Sequence, residues 1–236
     1  MKKTMITGVR PTGSITLANY IGGIKGFVNK QYEYDSYIFI ADIHGLTTYI
    51  DPKEIRNNIL DITAMYLACG IDPKKVTIFI QSMIPELTEY TFYFMNLVTV
   101  NRLYRNPTVK NELEQKKMGD SLPSGFLNYP VSQAADITLF EANIIPAGID
   151  QEPMIEQTNE IVRKFNSLYG ETLHECKILL PENTASYRLP GLDGKNKMSK
   201  SLNNCIYLSD SDEELKKKVK KIKLLMRLQL SSVRIV

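Results

Sequence analysis

Residues 4–19 read Thr4-Met-Ile6-Thr-Gly8-Val-Arg10-Pro11-Thr12-Gly13-Ser-Ile-Thr16-Leu17-Ala18-Asn19. A short apolar run ends at Gly8, a tight connection spans Pro11 and Gly13, and an amphipathic segment opens near Thr16. Just beyond, Gly22 and Gly23 are expected to leave room for a close neighbour. A strand turning sharply into a helix gathers unpaired backbone N–H groups and the positive end of a helix dipole at one point, which suits a phosphate. An ordinary strand-to-helix turn would read the same way, so this stretch points to an architecture before it points to a chemistry.

Working outward, four more strands are expected at 37–40, 76–80, 144–146 and 178–180. The run Val76-Thr-Ile-Phe-Ile80 is apolar over nearly its whole length, as in a parallel strand covered on both faces. Between strands lie helical patterns. Asp51, Pro52 and Glu54 have the spacing of a capped start, Ile55, Ile59, Ile62, Tyr66 and Leu67 mark one face, and Gly70 ends the segment. Further helices are predicted over 87–100, 131–139 and 152–165, and behind a capping box at Ser211–Glu214. Alternation of strands and helices predicts an α/β fold, a doubly wound parallel sheet. Ligands of such sheets sit beyond the carboxyl ends of the strands, here Gly8, Asp42–His44, Gln81-Ser82 and Gly148–Asp150.

With 236 residues, the chain can hold one good core and a small appendage. A net charge of +3 permits contact with RNA without arguing for it. The basic runs at 101–120 and along Lys216–Lys223 read as solvated faces or as substrate-facing surfaces. Three cysteines, Cys69, Cys176 and Cys205, lack metal-ligand spacing. No secretory leader opens the sequence, and no apolar run approaches the ~18 residues that span a bilayer. A cytoplasmic protein without membrane association is expected.

A second informative stretch lies near the other end, Leu189-Pro-Gly-Leu-Asp-Gly-Lys-Asn-Lys197-Met198-Ser199-Lys200-Ser201. Two glycines before a Lys-Met-Ser-Lys-Ser run describe a loop presenting ammonium groups and hydroxyls, suited to holding and then releasing a polyphosphate. No GxxxxGK[ST] loop is present, which excludes a P-loop mechanism.

The two stretches together resemble the paired signatures of class I aminoacyl-tRNA synthetases. Gly125-Phe-Leu-Asn-Tyr129-Pro-Val-Ser-Gln133-Ala-Ala-Asp136-Ile137 and Pro146-Ala-Gly148-Ile149-Asp150-Gln151 narrow the resemblance to the tryptophanyl-tRNA synthetase family, over about residues 4–208. That resemblance implies a Rossmann-like catalytic domain over 1–205 with a helical insertion at about 86–128. It implies that 206–236 begin a C-terminal helical region, mostly missing, so that amino-acid activation is expected and transfer to tRNA(Trp) is in doubt. It also implies L-tryptophan and tRNA(Trp) as partners, a homodimer formed through the insertion, ATP as substrate and Mg²⁺ carried by it, with no resident metal site.

Residue by residue, the resemblance assigns the nucleotide to Arg10, Pro11, Thr12, Ala18, Asn19, Gly148, Ile149, Asp150, Leu189 and Lys197–Ser201, that is Lys197, Met198, Ser199, Lys200 and Ser201. Catalytic roles fall to Thr16, Asn19, Lys197 and Lys200. Thr16 and Asn19 stand where the family more often has histidines, and Ala18 replaces its usual glycine. Tryptophan falls to Ile6, Gly8, Tyr129, Gln133, Asp136, Ile137 and Gln151. Asp136 is the expected acceptor for the indole N–H, which can only donate. Asp150 could instead be a helix cap, and His44 either touches the amino acid or is structural. Two other readings are a tyrosyl-tRNA synthetase and a catalytically weak truncated homologue acting as a binding module.

Overall fold

The computed structural model describes residues 2–47, 51–116, 121–180, 189–194, 196 and 198–232. Five strands, β1 (Thr4–Val9), β2 (Asp35–Ile40), β3 (Val76–Ile80), β4 (Ile144–Pro146) and β5 (Lys177–Leu179), form one parallel sheet in the order β3-β2-β1-β4-β5. All five expected strands are present, and β2 begins two residues before the expected Tyr37. Gly8 pairs with Phe39 across β1 and β2, and Met5 with Ile144 across β1 and β4. The chain builds outward from β1 on one side, then crosses over to build β4 and β5 on the other. The doubly wound architecture therefore has its switch point at the carboxyl ends of β1 and β4.

The period-two alternation of each strand feeds two cores. Met5, Ile38, Ile40 and Val76 pack with Phe27, Ile62 and Tyr66 on one face. Ile6, Phe39 and Ile145 pack with Ile137 and Ile155 on the other. Each such apolar side chain taken fully out of water contributes about 1.5–3 kcal/mol. Strand β3 sits at the sheet edge, so Thr77 is exposed, while Ile78 and Phe79 point into opposite cores.

After β1, Gly13 adopts a φ of 86°, a left-handed conformation that glycine takes without strain. The chain then enters α1 (Leu17–Asn19), a π-helical turn (Tyr20–Ile24) and α2 (Lys25–Lys30). No atom lies near where a Cβ on Gly22 or Gly23 would sit, so the close neighbour expected there is absent among the described residues. Next come α3 (Asp42–Gly45) and α4 (Pro52–Ala68). Asp51 caps α4 through the Lys53 N–H at 2.9 Å, one residue earlier than the capping-box spacing implies. Leu67 is exposed, outside the apolar face it was assigned to.

The expected helix over 87–100 is two helices, α5 (Glu86–Met95) and α6 (Val100–Tyr104). Thr99 breaks it, because its hydroxyl caps α6 by accepting from the Arg102 N–H. The basic run continues as α7 (Pro107–Lys116), and Arg102 pairs with Glu160 through two 2.7 Å bonds. Helix α8 (Ser124–Thr138) starts seven residues before the expected 131. Pro130 is accommodated inside the helix, which forgoes one backbone hydrogen bond there. Helix α9 (Glu152–Tyr169) outruns its expected end by four residues.

Helix α10 (Asp212–Ser232) begins with the reciprocal box predicted at Ser211 and Glu214. It continues as helix to Ser232. Among the described residues no helix is long and apolar enough to cross a membrane.

Candidate functional site

The first and last motifs meet at the carboxyl end of β1. Residues 15–17 and 206–208 run antiparallel, with Leu17 N donating to the Ile206 carbonyl and Leu208 N to the Ile15 carbonyl, both at 2.9 Å. The Lys200 ammonium donates to the carbonyls of Thr12 and Gly13 at 3.2 and 3.3 Å. A cleft of about 450 Å³ opens beside this contact, lined by Thr12, Gly13, Ser14, Lys200, Tyr207 and Asp210 among others. Half-burial lowers the Lys200 pKa, and the positive charge of Arg10 nearby lowers it further. A bound polyanion would relieve both penalties.

Thr16 and Asn19 are spent largely on one another. The Thr16 backbone N–H and hydroxyl both donate to Asn19 Oδ1, at 3.1 and 2.7 Å, while the Thr16 hydroxyl accepts from Asn19 N at 3.2 Å. This box starts the helical segment and leaves the exposed Asn19 amide nitrogen with its N–H donors available. Thr16 is buried, Pro11 is buried, and Ala18 is half-buried.

The flap is braced by Asn204. Its Oδ1 accepts from Ser199 N at 2.8 Å and its Nδ2 donates to Asp193 at 3.1 Å. Met198 is buried and its N–H donates to the Leu189 carbonyl at 2.8 Å, tying two expected nucleotide contacts together. Lys197 lies outside the described residues. Ser201 belongs to the single turn Lys200–Leu202. Behind the flap, Asp210 accepts from Lys218 Nζ at 2.6 Å and from Tyr207 N at 2.9 Å, fixing the segment that pairs with Thr16.

A second cluster lies at the ends of β2 and β3. Asp136 on α8 is 2% exposed, and both its oxygens accept from Gln81 Nε2, at 2.7 and 2.9 Å. Burial pushes its carboxyl up to about 7, and the bonds from Gln81 oppose that rise. The other end of Gln81 accepts from His44 N at 3.1 Å. His44 stacks on Tyr129, ring centroids 5.0 Å apart, and the buried Tyr129 hydroxyl has no hydrogen-bond partner. Burial raises the Tyr129 pKa, and Arg10 opposes that shift, so the Arg10 charge acts on both the Tyr129 hydroxyl and the Lys200 ammonium.

Ile6 and Ile137 pack in the same core cluster, below this site. Gly8 leaves no space for a Cβ, which would run into the Phe39 ring. Gln133 is half-buried one turn before Ile137. A third group stands at the end of β4. Gly148 precedes the turn Ile149–Gln151, where a Cβ would come within 2.6 Å of Asp150 Oδ1. Asp150 is exposed and does not cap that turn. Its Oδ2 accepts from Gln151 Nε2 at 3.1 Å, so these two side chains engage each other, and Ile149 is exposed beside them.

Gln81 is the residue that sequence reading left out of the site. Its only signal was position, since it closes β3 where ligands of such sheets gather. Among the described residues no group of three or more His, Cys, Asp or Glu side chains is placed to hold a metal ion.

Comparison with known proteins agrees with this geometry. Residues 2–227 match the family described as tRNA synthetases class I (W and Y). A tryptophan–tRNA ligase of Streptococcus pneumoniae is 54% identical over 222 residues, which cover 92% of this chain and 65% of the relative. A Campylobacter jejuni tryptophanyl-tRNA synthetase, solved with ADP and tryptophan, superposes with a TM-score of 0.83 at 33% identity, covering 93% of this chain and 67% of that one. A Mycoplasma pneumoniae tryptophanyl-tRNA synthetase gives 0.85 at 28% identity, covering 93% and 65%. The chain thus spans just under two thirds of the length of the curated relatives it matches. With a parallel sheet that turns sharply from β1 into a capped helix, and Lys200 of the late loop laid on that turn, the chain belongs to the class I tRNA synthetases of the tryptophan and tyrosine family.

Proposed function

We propose that this chain activates L-tryptophan with ATP, forming tryptophanyl-adenylate and pyrophosphate, as the first half of a tryptophan–tRNA ligase reaction. The observation that carries the reading is the buried Asp136 carboxylate, presented as an acceptor to a group that can only donate. An indole N–H is such a group. A phenolic hydroxyl needs a donor as well, and the donor nearest to Asp136, Gln81 Nε2, is already spent on both carboxylate oxygens. That favours tryptophan over tyrosine, since a polar site left unsatisfied discriminates strongly.

The unpartnered Tyr129 hydroxyl, with Gln133 and Gln151, would hold the ammonium and carboxylate ends of the amino acid, over a floor made by Ile6, Gly8 and Ile137. The tryptophan carboxylate oxygen attacks the α-phosphorus, the bond to the β-phosphate bridging oxygen breaks, and pyrophosphate leaves. No protein nucleophile takes part, so positioning and charge stabilisation carry the catalysis. Asn19 donates to the nucleotide, aimed by Thr16. Lys200 leaves the Thr12 and Gly13 carbonyls and, with Lys197, stabilises charge growing on the leaving pyrophosphate. Arg10, Pro11, Thr12 and Ala18 border the nucleotide, Asp150 accepts from its ribose hydroxyls once freed from Gln151, and Ile149, Leu189, Met198, Ser199 and Ser201 close around it. Mg²⁺ enters with ATP, held mainly by phosphates and water.

Transfer to tRNA(Trp) and a homodimer complete the reading. Phe92, Met95 and Val100, exposed on α5 and α6, give the insertion an apolar surface for a second copy. Three free cysteines suit a reducing, cytoplasmic setting. Pyrophosphate exchange into ATP tests the function: stimulation by tryptophan and not by tyrosine is expected, and exchange with neither would leave the binding-module reading.

A further inference from the structure

We propose that Gln81 is a specificity-positioning residue for the amino-acid site, holding the Asp136 carboxylate so that an N–H donor on the substrate is read as present or absent. The inference rests on the proposed tryptophan activation, because it concerns how Asp136 would select its ligand.

Gln81 is 1% exposed and lies at the end of β3, in the single turn Gln81–Met83. Its carboxamide is used at both ends. The nitrogen is shared between the two oxygens of Asp136, and the oxygen accepts from His44 N at the start of α3. A reciprocal bond closes the same joint, where Ser82 N donates to Asp42 Oδ1 at 3.0 Å. Three elements are locked together this way, the ends of β2 and β3 and helix α8. Asp136 cannot rotate without breaking two bonds to a side chain that is itself anchored to backbone.

The consequence for selection is chemical. A buried carboxylate without a donor would take up a proton or swing toward a nearer partner. Gln81 supplies one donor group to both oxygens and offers no further acceptor, so the carboxylate keeps lone pairs that can accept from one more donor. The same bonds orient His44, whose ring stacks on Tyr129. Gln81 touches no reacting atom, and its influence passes through Asp136.

The test is pyrophosphate exchange by the full chain with two substrates, tryptophan and benzothienylalanine, whose sulfur replaces the indole N–H. In Gln81→Met the KM for tryptophan is expected to rise roughly tenfold to a hundredfold, the loss of a hydrogen bond to a charged group. kcat at saturating tryptophan and the KM for ATP stay near wild type. Above all, the preference for tryptophan over benzothienylalanine in kcat/KM collapses toward unity, which general loosening of the pocket would not produce. If Gln81→Met does not fold, Gln81→Leu removes the donor with a side chain of similar volume, and the same collapse is expected. An unchanged preference in a folded, active variant overturns the inference alone. A wild-type chain with no tryptophan-dependent exchange overturns the functional reading, and this inference with it.

Discussion

Replacing Asp136 by asparagine should change the stability of the empty protein in a direction set by pH. The carboxyl moves from 3.8 to about 7 on folding, chiefly through burial. Because the folded value is the higher one, the folded chain holds the extra proton across that window. The stabilisation is fully present below the unfolded value and is lost as pH rises through the folded one. A gap of about three pH units corresponds to about 4 kcal/mol in all, more than half of which falls between about pH 5 and pH 8. Asparagine does not titrate, so the variant lacks this loss, and all other titrating groups cancel in the difference. Urea unfolding of both proteins at about pH 5 and pH 8 measures it. The variant should gain about 2–3 kcal/mol relative to wild type over that interval, and parallel pH profiles would refute the assignment of a costly buried carboxylate. Function runs the other way: tryptophan affinity of the wild type should improve as pH rises through 7, and Asp136→Asn should lose tryptophan-dependent exchange.

Other expectations follow from the same geometry. Lys200→Ala should slow pyrophosphate exchange by roughly a hundredfold to a thousandfold while leaving tryptophan affinity unchanged, as read by fluorescence in a chain with no tryptophan of its own. Gly8→Ala drives a Cβ into the Phe39 ring and should cost about 1–3 kcal/mol in urea unfolding. Adding Phe39→Leu should recover part of that loss in a double-mutant cycle. Asp210→Ala removes the partner of Lys218 and the acceptor for Tyr207 N. A loss of about 2–4 kcal/mol, with a raised KM for ATP, is the expected result in unfolding and exchange assays.

The architecture was legible because short apolar runs bounded by turn residues are local signals, and each of the five strands contains such a run. Helix boundaries were less so. Helix α5 stops at Met95 and Thr99 caps α6, and Pro130 lies within α8 although its chemistry argues for a boundary. The meeting of Lys200 with the Thr12–Gly13 turn was implied by the paired motifs, yet 187 residues separate Lys200 from Gly13, and no local pattern predicts such a contact. Gln81 shows the limit most plainly. Nothing about a glutamine after an apolar strand distinguishes it, and its role exists only because β3 delivers it to a carboxylate 55 residues away. Thr16 was assigned a catalytic role by resemblance, and its buried hydroxyl is engaged with Asn19, an arrangement the Thr-Leu-Ala-Asn spacing does contain as a capping box.

The most direct test of the account offers the chain ATP, Mg²⁺, tryptophan and tyrosine together, with pyrophosphatase present, and identifies by mass spectrometry the adenylate that stays bound. Tryptophanyl-adenylate alone is predicted. Tyrosyl-adenylate, or no adenylate at all, would contradict the reading of Asp136 and of the flap that closes over the phosphates.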